Sequence, residues 1–289
     1  MEYCRKWETN LISPPVASGL NFLAELYHKG LSYSALNTAR SALASVIALQ
    51  GNLSFGNHPI VSRFLKGTFT TRPALPKSKE VWDVNMVLEH LKTLHPAETL
   101  PLKLLSFKIV MLMALLSGER CQTIHALTTR NMRVSNTKVM FIVNDLLKTT
   151  KPGKECIKLE FLSFDEDRRI CVVRYLSEYL ERTKEMRHDH HKLRVSYQKP
   201  HRPVSKNTVS RWLKHELKLA GIDTSTFGAH STRAASTSAA KLKAQKLSIT
   251  TIMDGDGWSF ENTFMKYYNK TISKPTNNFG NQLLHALQT

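Results

Sequence analysis

The sequence predicts a mainly α-helical protein of two domains, with one small β-hairpin or sheet in the second. Three observations lead there. Apolar residues recur at helical spacing along most of the chain, a single pair of short strand-like runs interrupts them, and a polar, proline-bearing stretch near residue 75 divides the chain. A length of 289 residues fits two domains of roughly 150 residues each.

Residues 17–28 set Leu20, Leu23, Leu26 and Tyr27 on one helical face. Leu31-Ser32-Tyr33-Ser34 supplies a capped start for a helix over 35–50, striped with Leu36, Ala39, Leu43, Val46 and Ile47 and closed by Gly51. His58-Pro59 opens a short helix over 60–67. Together these make a small helical domain over 1–72. Pro73 and Pro76 then break helix in a polar setting, so 73–80 reads as a linker. The second domain, 81–289, opens with helices over 85–94 and 100–116. Runs 138–143 and 156–161 flank the turn signal Lys151-Pro152-Gly153-Lys154 and form a hairpin with Lys148 near its tip. Helices follow over 171–186, 205–220, 231–242 and 259–268.

Charge narrows the partner. Lys and Arg number 41 against 23 Asp and Glu, a net charge of +18. Such a balance calls for a polyanion, nucleic acid ahead of an anionic membrane surface. Residues 1–85 hold 9 basic and 5 acidic residues, and residues 186–218 alone hold 9 Lys/Arg and 5 His against 2 acids. A basic second domain behind a mildly basic helical one suits a grip on a duplex from two sides. The longest plainly apolar run, 109–116, has eight residues, far short of the roughly 20 that span a membrane. The start, Met1 to Trp7, has no signal-peptide stretch, so secretion is not expected. The four cysteines form no C-x-x-C pair, which excludes zinc ribbons and fingers and fits reduced thiols inside a cell. His188, His190 and His191 lack a second ligand pair and read as a solvated basic loop; no metal is expected.

Four elements of the second domain carry chemistry: Ser117-Gly118-Glu119-Arg120 at the end of the apolar helix, Lys148 on the hairpin, the H-x-x-R of Ala229-His230-Ser231-Thr232-Arg233 at a helix start, and Gly257-Trp258-Ser259 followed by Tyr267-Tyr268. In this order they resemble the tyrosine recombinase family of integrases and resolvases, over nearly the whole chain. Ser32-Tyr33-Ser34, Trp82-Asp83-Val84, Ala229 to Ala235 and Gly257-Trp258-Ser259 look more narrowly like the Crypton and DIRS-like recombinases of eukaryotic mobile elements. The resemblance implies a SAM-like helical core-binding domain that clamps DNA and an α+β catalytic domain. It implies cutting and rejoining of double-stranded DNA through a 3′-phosphotyrosine link, without metal or nucleotide cofactor. It also implies a homo-tetramer on two DNA sites, a monomer or weak oligomer without DNA, no membrane association, and a nuclear location.

Physical chemistry assigns the same roles. Two guanidiniums, Arg120 and Arg233, clamp the non-bridging oxygens of a phosphorane and stay protonated at any working pH. His230 donates to the phosphate or moves the nucleophile's proton. Lys148 reaches the leaving 5′ oxygen as general acid. Trp258, where many relatives carry His, donates one hydrogen bond and shuttles no proton. The nucleophile is Tyr267 or Tyr268; adjacent helical residues point about 100° apart, so one alone faces the phosphate, and the resemblance to the mobile-element recombinases slightly prefers Tyr268. Arg40, Ser41 and Lys66 in the first domain, and Lys199, Arg202, Lys206 and Arg211 in the second, are expected DNA contacts. One departure stands out. Many relatives have an acidic brace three residues after the first arginine, where this chain has Thr123; the sequence leaves open whether Glu119, just before Arg120, takes its place. Two other readings remain: a silent DNA-binding protein derived from a recombinase, and a type IB topoisomerase.

Overall fold

The computed structural model describes residues 2–6, 8, 10, 13–47, 54–74, 80–147, 150, 153, 155–243 and 271–272. The chain divides into two units, Met1–Lys77 and Ser78–Thr289.

The first unit is helical: α1 (Glu2–Lys6), α2 (Val16–His28), α3 (Tyr33–Val46) and α4 (Pro59–Thr71). Ser32 caps α3 by accepting from the Ala35 backbone N–H at 3.3 Å, satisfying a donor that the first helical turn leaves open. Leu23, Ile47, Phe55 and Val61 form the core, with Leu20, Ala39, Leu43 and Phe64 packed on it. Two expected helix ends shift. The expected run to residue 50 stops at Val46, because Ile47 leaves helical geometry and is buried in the core. The expected end at Gly67 moves on to Thr71. There the hydroxyls of Thr68, Thr70 and Thr71 bond back to carbonyls one turn earlier. Arg72 then donates to the carbonyls of Tyr27 and Leu31 at 2.7 and 3.2 Å and stacks 3.9 Å over the Tyr27 ring.

The second unit is built around α6 (Leu102–Ser117), preceded by α5 (Val84–Thr93) and followed by the short α7 (Cys121–Ala126). Every residue of α6 from Leu105 to Leu115 is buried, as expected of a helix apolar on all sides. Around it pack α8 (Val172–Arg182), α9 (Lys206–Leu219) and α10 (Ser231–Lys243). Strands β3 (Lys138–Val143) and β4 (Ile157–Leu162) pair antiparallel, with Val143 opposite Ile157 at the loop end. A third strand, β2 (Met132–Val134), joins β3 antiparallel, so the hairpin is the core of a three-stranded sheet. Val139, Phe141, Leu159 and Phe161 point from the sheet into the core. Near the unit's start, β1 (Glu80–Val81), which takes up the last residue of the expected linker, pairs parallel with β5 (Thr271–Ile272). The helix expected over 171–186 ends at Arg182. The helix expected over 259–268 lies outside the described residues.

One residue in α6 breaks the apolar pattern. Lys108 is fully buried, and its ammonium donates to the carbonyls of Leu91, Leu94 and Arg169 at 2.8, 2.6 and 2.6 Å, 3.6 Å from the Tyr175 ring centroid. Three acceptors match the three donors of an ammonium. The buried cation thereby closes the C-terminal end of α5 and the turn before α8. No described helix is long and apolar enough to cross a membrane.

Candidate active site

The site forms where α6 ends. Gly118 takes the left-handed conformation (φ 59°), which an L side chain resists, and turns the chain out of α6. Glu119 folds back inward, and Arg120 becomes the N-cap of α7. The Glu119 carboxylate is buried. Its Oε2 accepts from the Arg120 backbone N–H at 3.1 Å, from the Thr123 hydroxyl at 2.9 Å and from Arg233 Nη1 at 3.3 Å. Arg233 comes from the first turn of α10, 114 residues further on, and is itself 2% exposed. Both ions of this pair are buried, so each offsets the desolvation cost of the other.

His230 occupies the turn before α10 and is exposed. It lines a cleft of about 260 Å³ together with Arg120, Cys121, Lys206, Asn207 and Ser210. Ser205 caps α9 by accepting from the Thr208 backbone N–H at 3.2 Å, and the start of α9, the positive end of the helix, lines this cleft through Lys206, Asn207 and Ser210. Burial pushes the Cys121 thiol up, so the sulfur in the cleft stays protonated and offers no competing thiolate.

The start of α10 is fixed from a distance. Trp82 Nε1 donates to the Ser231 hydroxyl at 2.8 Å, and that hydroxyl donates to the Gly228 carbonyl at 2.7 Å. Trp82 is thus a structural pin for the H-x-x-R turn, a role that its place in the sequence, 149 residues earlier, does not signal.

Of the expected site residues, Arg120 and Arg233 meet at Glu119, and Arg120 and His230 line one cleft. Lys148, Trp258, Tyr267 and Tyr268 lie outside the described residues. Lys206, read as a duplex-holding residue, lines the cleft itself. Lys199, Arg202 and Arg211 are exposed; the last two border a second cleft of about 560 Å³ with Lys103, Tyr197, Trp212 and His215. In the first unit Lys66 and Ser41 are exposed, whereas Arg40 is half-buried and donates to the Gly56 carbonyl at 3.0 Å. The basic stretch 186–218 does not all face outward. Arg187 donates to the Lys192 carbonyl and the Thr183 hydroxyl, both at 2.7 Å. Arg194 sits against Ile124 and Met113, and both arginines are buried. They are packing residues, which corrects the assignment of this whole charge cluster to DNA. Among the described residues no group of three or more His, Cys, Asp or Glu is placed to hold a metal ion.

The architecture is that of known tyrosine recombinases. The XerH site-specific recombinase, in a post-cleavage complex with palindromic difH substrate, matches 93% of this chain over 70% of its own, at 14% identity and a TM-score of 0.59. The Tn1549 transposon integrase in complex with circular intermediate DNA matches 94% of this chain over 85% of its own (14% identity, TM-score 0.54). A lambda integrase dimer bound to a COC′ core site matches 96% of this chain over 90% of its own (16% identity, TM-score 0.52). Comparison with curated protein sequences finds no match. The fold of the second unit is therefore that of a tyrosine recombinase catalytic domain. The model of the phage integrase family matches residues 83–274, and the chain belongs to that family.

Proposed function

We propose that the chain is a DNA-cutting and rejoining site-specific recombinase of a mobile element, acting through a covalent 3′-phosphotyrosine intermediate. The observation that carries this reading is that Arg120 and Arg233, from two separate helix starts, meet at one buried carboxylate while Arg120 and His230 line one cationic cleft. The structures similar to this chain include DNA complexes of a recombinase and of a transposon integrase, and double-stranded DNA is the substrate proposed here.

The Tyr268 hydroxyl, or that of Tyr267, attacks the scissile phosphorus. The phosphorus–O5′ bond breaks as the phosphorus–tyrosine bond forms. Arg120 and Arg233 stabilise the extra negative charge on the non-bridging oxygens, the Trp258 indole donates to them, neutral His230 accepts the proton that the tyrosine hydroxyl loses, and Lys148 gives its proton to the leaving 5′ oxygen. A free 5′-hydroxyl of a second duplex reverses the step and exchanges strands, so the bond energy is conserved. The helical unit acts as a core-binding clamp through Lys66 and Ser41, and Lys199, Arg202, Lys206 and Arg211 hold the backbone of the duplex. Exchange requires a homo-tetramer on two sites. The resemblance to mobile-element recombinases of the Crypton and DIRS-like group makes the nucleus the place of action.

A nicked duplex taken from the flanks of the gene tests this reading, because loss of the short 5′ product traps the intermediate. A covalent protein–DNA band is expected with wild type and absent with Arg233→Ala. Salt-dependent DNA binding without any covalent band supports the silent DNA-binding reading instead.

A further inference from the structure

Glu119 is 5% exposed, and as an anion it is repelled by a phosphate rather than bound to it. A single oxygen, Oε2, nevertheless gathers the Arg120 backbone N–H, the Thr123 hydroxyl and Arg233 Nη1 within 2.9 to 3.3 Å. These donors belong to the N-cap of α7, the first turn of α7 and the first turn of α10. A guanidinium is a rigid planar fork, so holding Nη1 sets the plane in which its other N–H groups lie. Holding the Arg120 N–H sets the residue whose side chain lines the cleft. The two arginines are thereby referenced to one atom.

We propose that Glu119 is the positioning residue of the site, fixing Arg120 and Arg233 against each other from the position directly before Arg120. The inference rests on the recombinase reading. Thr123 serves as a neutral support: its hydroxyl pins the carboxylate without bringing a second negative charge into a buried space. Because Thr123 Oγ1 lies 2.9 Å from Glu119 Oε2, an acidic side chain at 123 reaches the same volume once residue 119 is shortened. A pair that merely stabilised the fold would not respond to moving the charge in this way.

The test compares wild type, Glu119→Gln, Glu119→Ala and Glu119→Ala/Thr123→Glu on the nicked duplex, under single turnover, with DNA affinity measured in parallel. Glu119→Gln keeps the shape and removes the charge. Its cleavage rate is expected to fall about 10- to 100-fold, in line with a lost charge-assisted bond, at a DNA Kd within about two-fold of wild type. The double variant is expected to recover at least about ten-fold over Glu119→Ala. A Glu119→Gln rate equal to wild type, or no recovery in the double variant, overturns the proposal. A second readout needs no catalysis. Nitrogen-15 spectra of the Arg233 guanidinium, assigned against Arg233→Lys, are expected to show separate, slowly rotating Nη groups in wild type that average in Glu119→Gln. Averaged Nη signals in wild type overturn the hold. A wild type that forms no adduct refutes the recombinase reading instead, and the Nη spectrum then decides whether Glu119 holds the arginine.

Discussion

Glu216 offers a quantitative test of the buried network in the second unit. It lies on α9, fully buried, with Oε2 3.1 Å from His90 Nε2 on α5, and its Oε1 has no hydrogen-bond partner among the described residues. Burial pushes its carboxyl up to about 7 from the ordinary 4.5, and burial likewise pushes His90 down. Burial thus favours the neutral form of both partners. The unfolded chain releases the Glu216 proton around pH 4.5, whereas the folded chain keeps it until about 7. Stability from this group is therefore present below about 4.5, is lost as the pH rises to about 7, and falls no further above that. The loss amounts to about 3 kcal/mol at 1.36 kcal/mol per pH unit. Glu216→Gln keeps the shape and cannot ionise. Urea unfolding followed by tryptophan fluorescence, with Trp212 one turn away on α9, measures both chains. At pH 5 they should agree within about 1 kcal/mol, and at pH 8 the glutamine variant should be more stable by about 3 kcal/mol. His90 and Lys108 both lose stability as the pH falls, since burial holds both down, Lys108 to about 7. They are present in both chains, so the difference isolates Glu216. An unchanged difference between pH 5 and pH 8 refutes the reasoning.

Other substitutions follow from the same packing. Lys108→Met strips three buried carbonyls of their donor and relieves one buried charge; a net destabilisation of about 2–4 kcal/mol is expected in urea unfolding. Trp82→Phe removes the 2.8 Å bond to Ser231. It should cost about 1 kcal/mol of stability and slow adduct formation several-fold, because the turn carrying His230 and Arg233 loosens. Gly19→Ala places a Cβ 2.5 Å from Phe55 Cε2. The clash falls in the core of the first unit, so the Tm should drop despite the better helix former, with a cost of about 1–3 kcal/mol.

Long helices were legible because their apolar stripes repeat over several turns, and the capping Ser32 marked one start. The hairpin strands were legible from their alternation and the Pro-Gly turn. What escaped was too short to show a period. α7 has six residues, β2 has three, and β1 and β5 have two each. The parallel pairing of β1 with β5 joins residues nearly 200 positions apart. At the site, Arg120 and Arg233 were legible as residue types in an order, and Glu119 as the acid nearest to hand. That one oxygen serves both arginines follows only from the left-handed turn at Gly118 and the seating of α10 against α6. Trp82 carried a resemblance in sequence, and only the folded chain gives it Ser231. The buried Arg187 and Arg194 show the converse limit. Charge density along a sequence does not separate a cation facing solvent from one sealed against carbonyls, because desolvation is settled by tertiary neighbours.

The central claim is that a tyrosine of this chain becomes joined to DNA. The direct measurement is mass spectrometry of the peptide left on a trapped nicked duplex after nuclease and protease digestion. A peptide covering Tyr267 and Tyr268 that carries a 3′-linked nucleotide phosphate, with the modification on Tyr268 and abolished by Tyr268→Phe, is the expected result. Attachment at any other residue, linkage through a 5′-phosphate, or no nucleotide-bearing peptide at all contradicts it.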